Sequence, residues 1–151
     1  MKISEHGPVA VWRLMLETHA DLLEAIEARF EAEHDLSANE FDVLINIPST
    51  TTIRHRDLLE SIVLSRSALS RLLRRLECRG LVEQHSDTGD RRGICVSLTD
   101  EGLKLRRGSS RTNTEVVRSA FTGLSTEDLV ELHALVGKIR PRNATMREGL
   151  T

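Results

Sequence analysis

The segment Leu64–Gly102, LSRSALSRLLRRLECRGLVEQHSDTGDRRGICVSLTDEG, decides the fold. Leu69, Leu72, Leu73 and Leu76 recur at the spacing of one helical face, which predicts a helix running from the Ser65 cap to Arg79. Gly80 stands where a helix takes a left-handed C-terminal residue. Leu81–His85 and Ile94–Leu98 then read as strands, joined by a Ser86–Gly93 loop with Thr88-Gly89-Asp90 turn chemistry. Upstream, a short helix is expected over Arg56–Ile62, with Val63 and Leu64 forming the turn. The order is that of a helix-turn-helix with a β-hairpin wing.

The chemistry of the segment points to double-stranded DNA. Ser65, Arg66, Ser67, Ser70, Arg71 and Arg74 lie on the helix faces away from the leucine seam, crowded toward its N-terminal half. In a helix-turn-helix that half meets base edges. Serines permit close approach, and arginines bind guanine bidentately or anchor phosphates. Arg91 and Arg92 tip the hairpin, and Asp90 stands two residues before Arg92, close enough to pair with it and set its direction. A directed arginine suits a narrow, electronegative minor groove. Arg54, His55 and Arg56 precede the first helix of the motif and are candidate phosphate contacts. The plainer alternatives are a solvated basic face and an exposed hairpin ion pair worth about 0–1 kcal/mol.

Charge is segregated along the chain. The net charge of the 151 residues is −2, which taken alone argues against a nucleic-acid binder. Residues 1–47 hold three basic against ten acidic residues, whereas residues 54–93 hold nine arginines against six acidic residues. Binding responds to the local field, so the positive segment outweighs the total, and the acidic N-terminal segment keeps the far side off DNA.

The flanks are helical. Pro8 suits a first helical turn, and apolar residues follow at Val9, Trp12, Leu16, Leu23, Ile26 and Phe30, predicting one amphipathic helix over 8–34. Ser37 and Glu40 have capping-box spacing and open a helix that Pro48 stops. Thr99 caps a long helix ending near Phe121, in which Gly108–Thr114 is poor helix material and predicts a kink or a weak turn. Ser125 with Asp128 opens a last helix that stops before Pro141, and 143–151 reads as a loose tail. The expected fold is mostly α with a small β-hairpin wing. Residues 1–151 form a single winged-helix protomer, with a DNA-binding lobe over 37–98 and dimerisation helices over 8–34 and 100–140. Surplus apolar face on both terminal segments predicts a homodimer, in keeping with two-fold recognition of DNA half-sites.

Composition excludes other classes. The aromatic content is 3%, so the core falls to Leu, Ile, Val and Ala. The longest apolar run is Val9–Trp12, which predicts no membrane span, and no signal peptide is visible. Cys78 and Cys95 lack metal-like spacing and read as free thiols of a reducing compartment, so a cytoplasmic location is expected. The six histidines show no paired ligand spacing. Neither a nucleophile triad nor a phosphate-cradling loop is suggested. Catalysis, a metal and a cofactor are therefore not expected.

The run Asp90-Arg91-Arg92-Gly93-Ile94-Cys95-Val96-Ser97-Leu98-Thr99 resembles the wing signature of the MarR family, D-x-R-x-x-x-V-x-L-T, at every defined position. Ser65–Leu72 and Leu76–Val82 are similar to that family's recognition helix and its exit. The resemblance implies a winged-helix homodimer that binds pseudo-palindromic operators and regulates transcription, usually as a repressor. It implies Arg92 in the minor groove, Asp90 steering it, and Ser65 to Arg74 in the major groove. Leu59 and Val63 depart from the small residue and turn glycine common in such motifs. Members of the family often respond to small phenolic or anionic ligands in a crevice beside the dimer helices. Trp12 and His19, seven residues apart on one helix, are candidates for such a pocket, against plain packing roles for both. Some relatives sense oxidants, and Cys78, near Arg74, Arg75 and Arg79, is the candidate for a redox-gated regulator. The other alternative is a winged-helix module that binds an acidic protein partner.

Overall fold

The structure is a computed structural model that describes residues 6–87, 89 and 93–139. Helix α1 spans Pro8–His34, opens with Pro8 in its first turn, and ends where Asp35 adopts a left-handed φ of 48°. Helix α2 (Ala38–Asn46) opens with the expected capping box. The Ser37 hydroxyl accepts from the Glu40 amide at 3.1 Å, and the Glu40 carboxylate accepts from the Ser37 amide at 3.4 Å. Strand β1 (Ile53–Arg54) leads into helix α3 (His55–Ser61), and helix α4 spans Arg66–Cys78. Ser65 caps α4 by accepting from the Ala68 amide at 3.1 Å. At the other end Gly80 takes φ 74°, which lets the Leu81 amide turn back to the Leu76 carbonyl at 3.0 Å.

Strands β2 (Val82–Ser86) and β3 (Ile94–Leu98) pair antiparallel with Gln84 opposite Val96. Strand β1 adds to the free edge of β3, so the sheet has the order β1-β3-β2. The sequence reading lacks β1, because two residues are too few to display an alternation. Its pairing of Ile53 with Val96 and Arg54 with Cys95 ties the start of α3 to the wing. One core fills the lobe. Leu69, Leu72, Leu73 and Leu76 of α4 pack with Phe30, Val43, Leu44, Ile47, Leu58, Val82 and Val96, all buried.

Helix α5 runs from Asp100 to Ala120 without interruption, so the weak stretch Gly108–Thr114 does not break it. Gly108 and Thr112 of that stretch face α1. A Cβ on Gly108 would stand 3.2 Å from His34 Cε1, a tight contact that the His34 ring would have to ease by a few tenths of an ångström. Ser109 is buried and donates to the Leu105 carbonyl at 2.7 Å. The buried Thr112 donates to Glu33 at 2.9 Å and meets His34 Nε2 at 2.8 Å. Arg29, 2.6 Å from Glu33 and 3.0 Å from Glu115, completes the network. Its hydrogen bond, with that of Thr112, holds the Glu33 carboxyl below the usual range. Weak propensity is thus offset by tertiary contact.

Arg106 of α5 serves α2. Its Nη1 donates to the Ile47 carbonyl at 2.6 Å and its Nη2 donates to Ser49 Oγ, satisfying chain that Pro48 has stopped. Helix α6 (Thr126–Gly137) belongs to a second compact unit, residues 118–151. It opens with the Ser125–Asp128 capping box, and its Leu129, Val130, Leu132, Leu135 and Val136 are all exposed. No helix among the described residues is long and apolar enough to cross a membrane.

Candidate nucleic-acid interface

Burial of the leucine seam dictates what α4 shows to solvent. Ser65, Arg66, Ser67, Arg71 and Arg74 are exposed, and Ser70 is half-buried at the edge of the lobe. Val63, in the turn before α4, is 97% exposed, so the departure from a turn glycine leaves an apolar side chain in solvent rather than a core defect. Two clefts flank the helix. One of about 300 Å³ is lined by Arg54, His55, Arg56, Arg66, Ser70 and Ile94 among others. The other, about 310 Å³, is lined by His55, Ser70, Arg74, Gln84, His85, Ser86 and Ile94.

The three residues before the motif have different surroundings. Arg54 lies in β1, and its Nε stands 2.9 Å from Asp87, fastening β1 to the end of β2. The exposed Arg56 has only a 3.8 Å approach to Asp57. His55 Nε2 is 2.8 Å from Gln84 Oε1, while Glu77 of α4 accepts from the Gln84 backbone amide at 2.8 Å and from its side-chain amide at 3.3 Å. Burial pushes the His55 pKa down, and the bond to Gln84 offsets part of that shift. This chain across α4, β2 and α3 was not legible in the sequence, because Gln84 and Glu77 carry no local signal of their own.

The wing closes through the Asp87 amide, which donates to the Gly93 carbonyl at 2.8 Å. Asp90, Arg91 and Arg92 lie outside the described residues. Arg79 pairs with Glu40 of α2 at 3.1 Å. Cys78 is exposed beside Arg71, Arg74, Arg75 and Arg79, and Cys95 is half-buried on β3. Trp12 and His19 are both exposed on α1 and line neither cleft. Among the described residues no group of three His, Cys, Asp or Glu side chains is placed to hold a metal ion.

A buried helix seam, a basic outer face and a three-stranded wing define a winged helix-turn-helix protein. The sequence profile of the MarR family matches residues 36–94, which span the lobe from α2 into the wing. The transcriptional regulator HosA of Escherichia coli O127:H6 is 31% identical over 113 residues, covering 74% of this chain and 84% of HosA. AbsC, a MarR family transcriptional regulator from Streptomyces coelicolor, superposes with a TM-score of 0.77 at 27% identity, covering 99% of this chain and 98% of AbsC. A second MarR family regulator of Streptomyces coelicolor, solved in complex with DNA, gives a TM-score of 0.73 at 26% identity and 89% coverage of both chains. The chain belongs to the MarR family of transcriptional regulators.

Proposed function

We propose that the protein binds double-stranded DNA sequence-specifically as a homodimer and represses transcription from a pseudo-palindromic operator. The observation that carries this reading is the exposure of Ser65, Arg66, Ser67, Arg71 and Arg74 on a helix whose opposite face is buried. The N-terminal half of α4 enters the major groove, with Ser70 at its edge. Arg54, His55 and Arg56 contact phosphates beside it. Arg92 enters the minor groove, steered by Asp90, with Arg91 as its neighbour. That a Streptomyces coelicolor MarR family regulator of the same fold was solved in complex with DNA supports DNA as the partner here. We assign the protein no catalytic activity, and a small aromatic or anionic ligand near Trp12 and His19 as its release signal.

The test is titration of the DNA upstream of its own gene over a salt series. Log K is expected to fall linearly with log salt, and Arg71→Ala or Arg92→Ala to weaken binding by about 1–3 kcal/mol each. Absence of saturable binding by the wild type sinks the reading and leaves an acidic protein partner as the alternative. The exposure of Cys78 among four arginines favours one further regulatory reading, oxidative release from DNA. Peroxide is then expected to weaken operator binding by the wild type and not by Cys78→Ser. Equal sensitivity of the two proteins removes the role.

A further inference from the structure

His55 stands where the two clefts beside α4 meet. The protonation of its ring follows from its neighbours. The Glu77 carboxylate only accepts, so it draws both the backbone amide and the side-chain NH2 of Gln84 toward itself. Gln84 therefore presents Oε1 to His55 at 2.8 Å. An amide oxygen has no proton to give, so the hydrogen sits on His55 Nε2. Among the described residues Nδ1 has no hydrogen-bond partner. It is a bare acceptor in the neutral ring and becomes a donor on protonation, with the Gln84 contact unchanged.

Among the described residues, the charged and titratable groups that line the clefts with His55 are Arg54 of β1, Arg56 of α3, Arg66 and Arg74 of α4, and His85 of β2. Of the carboxylates on these elements, Glu77 is held by Gln84, Asp87 by Arg54, and Asp57 of α3 lies 3.8 Å from Arg56. Burial opposes a charge on His55 in the free protein. A bound phosphate sets an opposite charge and a hydrogen-bond acceptor against the ring.

We propose that His55 is a proton-linked phosphate contact. When a DNA backbone phosphate enters the cleft, Nδ1 takes one proton from solvent and donates it to a phosphate oxygen, while Nε2–H stays on Gln84. No covalent bond is made or broken beyond that N–H. The inference rests on the DNA-binding reading. Burial holds the free ring below the ordinary histidine range, so it is neutral near pH 7. An opposite charge within hydrogen-bond distance raises the pKa in the complex. Affinity therefore increases as pH falls through the window between the free and bound values. The dependence is at most about tenfold per pH unit for one proton. It flattens above the bound value, where neither state is protonated, and below the free value, where both are.

The experiment is calorimetric titration of the full chain with a short duplex of arbitrary sequence at low salt, near neutral pH, in two buffers of different ionisation enthalpy. Net proton uptake is expected for the wild type. His55→Gln is expected to bind more weakly and to lose that uptake, whereas His85→Gln retains it. Histidine-ring NMR of the wild type with and without duplex reads the same step directly, as a change from neutral ring to imidazolium at His55. Equal uptake by wild type and His55→Gln, or a His55 ring that stays neutral in the complex, overturns the proposal. If the wild type does not bind the duplex at all, the DNA-binding reading has failed and takes this inference with it.

Discussion

At Gly102 the backbone of α5 runs against the start of the wing. A Cβ there would fall 2.0 Å from the Leu81 carbonyl oxygen. That oxygen also accepts from the Thr99 amide at 3.1 Å, while the Thr99 hydroxyl donates to the Gly80 carbonyl at 2.7 Å. The Gly102 amide returns to Thr99 Oγ1 at 3.0 Å. This small knot sets where α4, β2 and α5 diverge. Gly102→Ala is therefore expected to destabilise the fold by about 1–3 kcal/mol in urea unfolding, because backbone rather than a flexible side chain would have to move. Gly137→Ala, in α6 with open space around its Cβ, is the control and is expected to gain up to about 1 kcal/mol. A loss at Gly137 as large as at Gly102 would show that the close approach is not the cause. In the sequence, a glycine three residues beyond the Thr99 cap looks like a weak first turn, and only the Leu81 carbonyl explains it.

Among the elements, the helices with clear caps and periodicity were readable in full. Helix α1 begins at Pro8 and ends at His34, where the apolar stripe and the Asp35 break place it. Ser37, Ser65 and Ser125 all cap the helices that their spacing predicts. Helix α5 shows the opposite case. Gly108 and Thr112 lower local propensity, yet they meet α1 through His34 and Glu33. Thr112→Val keeps the shape of the side chain and removes both hydrogen bonds, so it is expected to cost about 1–2 kcal/mol, read as a lower urea midpoint. Thr114→Val, at an exposed position, is expected to stay within about 0.5 kcal/mol of wild type. Equal effects at the two positions would mean that the α1–α5 network contributes nothing. Strand β1 is the element that local pattern misses altogether, since it exists only because the edge of β3 is available to pair with it.

On the scale of the whole molecule, Val9, Val11, Trp12, Leu14 and Leu16 of α1 and the apolar residues of α6 are exposed, more apolar surface than a solvated helix requires. Burial against a second copy is the expected outcome, and Leu132→Asp is predicted to shift the protein from dimer to monomer in light scattering and to weaken operator binding. A monomeric wild type at micromolar concentration would contradict it. The segregation of charge between the acidic N-terminal segment and the arginine-rich lobe is likewise a property of the sequence, and so is the resemblance of Asp90–Thr99 to the family wing. What the sequence determined alone was whatever is encoded within a few neighbouring residues: helix periods, caps, the two wing strands and the outward face of α4. The tertiary structure decided the seating of the site. It set Arg54 on Asp87, placed His55 on a glutamine 29 residues away, and matched His34 to a threonine 78 residues away. Such pairs are separated by whole elements, so they follow from how helices and strands pack rather than from any local preference of the residues themselves.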